Sequence, residues 1–336
     1  MLHPLLERYI PSRSYVEFLQ KEGVSFSDFE TAAILHQCDL PPEVEIGCYQ
    51  ELLESTADER LRRQLSAVLD FNRRQLDLFR SGGEGRVYVT LSYPLGSRME
   101  ELPVAYADNY EAAYAVGKRC GTDFKIRLCS LLSEPPERPS LHKGYMNPNM
   151  LPEKDRADCV SCWEDDGNYA WPTADAQYRR DGTMLSFWFT EEDEDDGAAL
   201  ERLYSSELFT NAFVAYPTPF ALGDAVRWTG RRGEIDETPG VVETSPEEWN
   251  DFLKRVKNGL YVDQSDASLT VEWLRDGGRF THSHVPPIFL EQYEPENGAP
   301  HRELLESAAA LLRGQGSLDW FTECLEEERK WEAKEG

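Results

Sequence analysis

Apolar residues recur at helical spacing through the first 82 positions and turn to alternation at Arg86. Ser12 stands before a short amphipathic segment that stops at Gly23, and Ser27-Asp28-Phe29-Glu30 has the reciprocal spacing of a capping box. That box opens a second helix with Phe29, Ala32, Ala33 and Leu35 inward, and a third helix follows Pro41-Pro42. Thr56-Ala57-Asp58-Glu59 reads as another capping box. Behind it Leu61, Leu65, Val68, Leu69, Leu76 and Phe79 form one apolar face on a long helix ending at Ser81-Gly82-Gly83.

From Arg86 the sequences VYVTL, VAYA and FKIRLCSL predict three strands, with a helix between the second and third that Asp108-Asn109-Tyr110-Glu111 caps and that runs to Arg119. This is a ββαβ unit whose helix covers one sheet face. Residues 134–171 are rich in Pro, Asp, Glu and Asn and have no period. AQYRR and TMLSFWF then flank Asp181-Gly182, a strong hairpin signal, and the segment NAFVAYP reads as a strand leading onward.

Between 219 and 293 the pattern is a Gly223-Asp224 turn into a strand, a Gly240-Val241-Val242 strand, a tight hairpin around Asp276-Gly277-Gly278, and a last short strand, IFLEQY. These describe a small, strongly bent SH3-like barrel. A helix, SPEEWNDFLKRVKNG, is inserted between its second and third strands with Ser245 as cap. Two more helices, 300–313 and 317–334, follow. The fold class is therefore α+β, in five parts: a helical segment (1–83), the ββαβ unit (84–133), an acidic linker with its hairpin (134–216), the SH3-like barrel with inserted helix (217–295), and a C-terminal helical pair (296–336).

Charge changes this picture most. The chain has 35 Lys and Arg against 62 Asp and Glu, a formal net charge of −27. Such a surface repels phosphate backbones and anionic headgroups, which argues against direct nucleic-acid or membrane binding; solubility alone is the first reading of the excess, and a basic protein, a cation or imitation of a nucleic acid is compatible with it. The excess peaks over 134–216, with 18 acids against 7 bases, and vanishes over 84–133, with six of each. Hydrophobic residues at 40% are ample for a core. No apolar run reaches a membrane span and the N-terminus lacks the pattern of a signal peptide, so a cytoplasmic location is expected. Seven scattered cysteines fit a reducing compartment.

Candidate chemistry is sparse. Cys159 and Cys162 have the spacing of a zinc or redox pair, but no second pair completes a tetrahedral site, so two incidental thiols are the preferred reading. His282 and His284 share one face of a strand. A two-residue turn at Asp276-Gly277 or Gly277-Gly278 would set them across from Trp273, Val271 and Leu269, among apolar neighbours with no carboxylate, as packed histidines and not ligands. Trp228, Tyr261 and Trp273, with Phe280 and Tyr293, read first as barrel core and second as the walls of a cleft for a peptide or a cation, where Asp263 and Asp266 would favour a basic one. The run Glu191, Glu192, Asp193, Glu194, Asp195, Asp196 reads first as a solvated loop and second as a mimic of nucleic-acid phosphates. Its spacing is not that of a calcium loop. No phosphate-binding loop, zinc-protease motif, nucleophile elbow or kinase set is present.

Three motifs, FSDFETAAILHQ, ELFTNAFVAYPTPFALGDAVR and VVETSPEEWNDFLKRVKNGLYVDQSDASLTVEWL, resemble a recurring set in uncharacterised proteins of Gram-positive, mainly gut-dwelling Firmicutes. The resemblance spans Tyr9 to Phe321, with 141–171 the poorly matched part. It implies relatedness and no activity, so it carries no catalytic residue. The Gly223-Asp224 and Gly240-Val241 pattern is similar to SH3-like barrels and implies fold only. The expectation is a non-enzymatic cytoplasmic protein that needs no cofactor and binds a protein or peptide through its barrel. The alternatives are an acidic, phosphate-mimicking inhibitor of a nucleic-acid-binding protein, and a metal- or thiol-dependent enzyme.

Overall fold

A computed structural model describes residues 1–38, 40–92, 102–120, 124–130, 175–178, 182, 184–188, 214–229, 236–257, 268–275, 278–294 and 300–335. The chain is a mixed α+β protein with two antiparallel five-stranded sheets. It divides into two compact units. One is made of residues 1–39 together with 207–336, the other of residues 40–206.

In the unit of residues 40–206, α4 (Pro42–Ser55) and α5 (Glu59–Ser81) precede β1 (Arg86–Ser92), β2 (Leu102–Ala107), α6 (Tyr110–Arg119), β3 (Phe124–Ser130), β4 (Asp175–Tyr178) and β5 (Met184–Trp188). The strand order is β2-β1-β3-β4-β5. Alternation sends Tyr88, Phe124, Ile126, Leu128, Ala176, Tyr178 and Met184 into one core with Leu76, Phe79 and Ala113 of α5 and α6. Two local readings are corrected. The cap of α5 is Asp58, whose carboxylate accepts from the Arg60 and Leu61 amides, whereas Thr56 closes α4. The cap of α6 is Asn109, whose side chain accepts from the Ala112 amide, and not Asp108. β4 and β5 pair through Tyr178 and Met184, and Asp181 of the turn read between them lies outside the described residues. Moreover, β4 pairs with β3, joining the hairpin to the sheet that the sequence reading ended at residue 133.

The other unit begins with α1 (Pro4–Tyr9), α2 (Arg13–Lys21) and α3 (Asp28–Gln37). It resumes with 214–220, an irregular segment where a strand was expected, its Val214 and Tyr216 buried. Next come β6 (Ala225–Trp228), β7 (Asp236–Val242), α7 (Pro246–Lys257), β8 (Leu269–Arg275), β9 (Arg279–Val285), a 3-10 turn (Pro287–Phe289) and β10 (Leu290–Gln292). The strand order is β10-β6-β7-β8-β9. α8 (Pro300–Leu312) and α9 (Leu318–Glu335) close the chain and bury Leu304, Leu305, Ala309 and Cys324 against Val241 and Leu274. The capping box read at Ser27 is formed with Glu30, and the cap read at Ser245 is in the structure also a box, closed by Glu248.

The N-terminal helices are stitched to β10 by polar contacts. Ser12 Oγ accepts from the Tyr15 amide at 3.1 Å and donates to the Leu290 carbonyl at 2.5 Å, fully buried. Glu291 accepts from the Arg13 and Ser14 amides, so a strand carboxylate caps a helix 277 or 278 positions earlier in the chain. Replacing Ser12 by Ala removes the cap and takes the hydroxyl partner from the Tyr15 amide and the Leu290 carbonyl. Urea unfolding of Ser12→Ala is expected to show a loss of about 1–3 kcal/mol. An unchanged midpoint would contradict this account of the seam.

Candidate functional site

The Gly223-Asp224 turn is held by its own unit. Gly223 has φ +82°, and its amide donates to the Val242 carbonyl at 2.7 Å. The Asp224 carboxylate accepts from the Ala221 amide at 2.9 Å, while Arg313, just past α8, donates to the Leu222 carbonyl at 2.8 Å. A Cβ on Gly223 would meet Arg313 Nε at 2.6 Å. Only glycine combines that φ with so close an approach. The motif therefore builds a turn, and its carboxylate is engaged in doing so.

The aromatics expected to wall a cleft divide. Trp273 is 5% exposed and lies on Gly240, where a Cβ would come within 2.6 Å of the indole, and its Nε1 donates to Ser283 Oγ at 2.5 Å. This corrects its placement: Trp273 is core. Phe280 packs on Phe321 of α9 with ring centroids 5.9 Å apart, and Tyr293 shares a 2.8 Å hydrogen bond with His301 of α8. Trp228, at the end of β6, stays half-buried. Tyr261, Asp263 and Asp266 lie outside the described residues, as do Cys159, Cys162 and the acids from Glu191 to Asp196.

Register overturns the environment expected for the two histidines. The last pair of the β8–β9 hairpin is Arg275↔Arg279, three residues apart, with Gly278 at φ +62°. One residue more than a two-residue turn shifts the register and flips the face. His282 then pairs with Glu272 and His284 with Thr270, both histidines are exposed, and their rings are 6.4 Å apart. Trp273 pairs with Thr281 instead. They are not packed among apolar neighbours, and a carboxylate does share their face. Among the described residues no group of three or more His, Cys, Asp and Glu is arranged to hold a metal ion. Cys120 and Cys324 are free thiols.

Two features escaped the sequence reading. In the unit of residues 40–206, Tyr88, Tyr110, Tyr114 and Tyr178 gather around Phe79 and Phe124. The Tyr110 and Tyr178 hydroxyls bond to each other, and Tyr88 donates to the Phe79 carbonyl. Burial, then the neighbouring Tyr110, pushes the Tyr178 phenol far above its ordinary range, and burial, then Glu111, raises Tyr88 to about 12. Phenols so hard to ionise suit structural hydrogen bonds better than acid–base work. In the other unit, α9 exposes Trp320 and Trp331 at 39% and 38%. Their spacing of eleven, three helical turns, was the available signal.

Compared with family models, with curated proteins and with solved structures, the chain matches none. Among the described residues no helix is long and apolar enough to cross a membrane.

The tyrosine cluster makes stability sensitive to alkali. Each raised phenol holds its proton more tightly in the folded than in the unfolded chain. For Tyr88 that stabilisation is complete below the ordinary pKa of 10.0 and is lost as pH climbs through about 12, and for Tyr178, raised further, the loss likewise begins above 10.0. Thermal unfolding followed with pH is expected to be level up to about pH 10 and then to decline. Tyr178→Phe should lose about 1 kcal/mol at neutral pH and decline less steeply in alkali. A variant with the parent's alkaline slope would remove Tyr178 from this account.

Proposed function

We propose that this chain is a non-enzymatic cytoplasmic interaction protein whose C-terminal sheet is an SH3-like barrel that receives a protein or peptide of basic character. The observation that carries the reading is the order of that sheet. The last strand lies beside the first, then second, third and fourth follow, with one 3-10 turn before the last. This order is similar to that of small SH3-like barrels, which hold extended peptides in aromatic-lined grooves. The net charge of −27 supports a basic ligand.

Because Trp273, Phe280 and Tyr293 are engaged within the unit, the reading places the aromatic contact on the half-buried Trp228. Tyr261, Asp263 and Asp266, from the connection between β7 and β8, would complete that contact. In the other sheet the chain order β1, β2, α6, β3 fits a ββαβ unit, read as scaffold. Phosphate mimicry by the acids from Glu191 to Asp196 has no comparable observation in its favour.

The test is selection of a displayed random peptide library on the full chain. It is expected to return Lys- and Arg-containing peptides whose affinity falls about tenfold with Trp228→Ala, roughly 1.4 kcal/mol, and weakens as salt rises. No enrichment, or equal binding by Trp228→Ala, would overturn the barrel reading.

A further inference from the structure

α9 buries one side against α8 and the sheet through Phe321, Cys324 and Leu325. Next to that side runs a stripe spaced i, i+3, i+7, i+11: Trp320, Glu323, Glu327 and Trp331, all exposed. Eleven residues at 1.5 Å each set the two indoles about 16 Å apart along the helix. A large aromatic ring held in water is informative only when its surroundings name a partner, and here they do. Asp319, Glu323 and Glu327 follow one another at i, i+4 and i+8, a spacing at which like charges repel. Among the described residues no cation pairs with them, since Lys330 of the same helix approaches Glu326 instead. Glu303 of α8 adds to the same field: with Glu327 and Glu323 it raises the Cys324 thiol, after burial itself.

We infer that this face of α9 is a docking surface for a basic amphipathic helix of another protein. Its Lys or Arg side chains would meet Glu323, Glu327 and Glu303, and its apolar or cationic side chains would lie on Trp320 and Trp331. Charge complementarity selects this occupant. A second copy of the chain would bring a matching acidic stripe against this one and carry the same net charge of −27. A single cation is too small for carboxylates that do not converge on one point, in keeping with the lack of a metal-holding cluster among the described residues. The surface uses none of the residues of the barrel reading, and the Trp228→Ala arm below distinguishes failure of the one from failure of the other.

The test uses the full chain and two labelled peptides of about 20 residues, long enough to pass both indoles. One is an amphipathic helix of Lys and Leu, the other its counterpart with Glu for Lys. At low salt the Lys peptide is expected to bind saturably and to shift the tryptophan emission, and the Glu peptide not to bind. Trp320→Ala/Trp331→Ala should weaken binding at least tenfold, and Glu323→Lys/Glu327→Lys should abolish it. Glu17→Lys/Glu22→Lys, an equal change of charge at exposed positions of the N-terminal helices, should retain it, as should Trp228→Ala. Circular dichroism melts matching the parent would show that the variants fold. Equal loss in the Glu17/Glu22 variant would mean general attraction to an acidic protein and would overturn the proposal. So would unchanged binding by the double tryptophan variant. Light scattering that shows a dimer dissolved by Trp320→Ala/Trp331→Ala would assign the face to self-association instead.

Discussion

The contact on which the unit of residues 1–39 and 207–336 depends is the cap that β10 places on α2. Helix starts leave amides without intrahelical partners, and a buried start must find acceptors elsewhere. Here Ser12 supplies one locally and Glu291 supplies the others from the far end of the chain, while the Ser12 hydroxyl returns a bond to Leu290. Because the Ser12 hydroxyl leaves water with its partners, a missing partner there costs more than a present one contributes. The apolar seam then follows, with Leu5, Leu6, Ile10, Tyr15 and Leu19 of the first helices and Ile288, Phe289 and Leu290 of the last strand region all buried. Tyr15 and Tyr216 add hydroxyl bonds to the Pro217 carbonyl and the Gln37 side chain. A unit assembled from segments so distant pays a larger loop-closure entropy than a contiguous one, which makes the satisfied polar seam the more necessary.

The same accounting explains why most of the conspicuous sequence features turn out to be structural. Gly223 and Asp224 close a turn under Arg313, Gly240 makes room for Trp273, and Gly182 sits against Tyr114, whose hydroxyl donates to its carbonyl. Each is a place where two pieces of backbone or a ring come closer than a side chain would allow. Among the described residues the surface keeps acidic side chains and a few large apolar ones, Tyr106, Trp320 and Trp331 among them.

Local physics made much of the fold legible. The helices from Ser12 to Ser81, the strands from Arg86 to Ser130 and the five strands between Ala225 and Gln292 follow from capping residues and from the change of period between 3.6 and 2. The candidate site was less legible, and the His282–His284 pair shows why. One residue in the β8–β9 turn decides which face every side chain of β9 occupies, and the sequence Asp276-Gly277-Gly278 permits turns of either length. Likewise Asp58 and Thr56 are both good caps, and the choice between them depends on where α4 ends.

The sequence by itself determined the α+β class, the placing of helices and strands, and a surface of strongly negative charge, because propensity, period and charge act over a few residues or by simple sum. Only the tertiary structure decided that the hairpin at 175–188 extends the sheet of β1 to β3, that the chain's first 39 residues belong with its last 130, and that Trp273 is core while Trp320 and Trp331 face water. Those outcomes turn on which distant surfaces meet, and the burial of an indole is a property of its neighbours, not of its place in the chain.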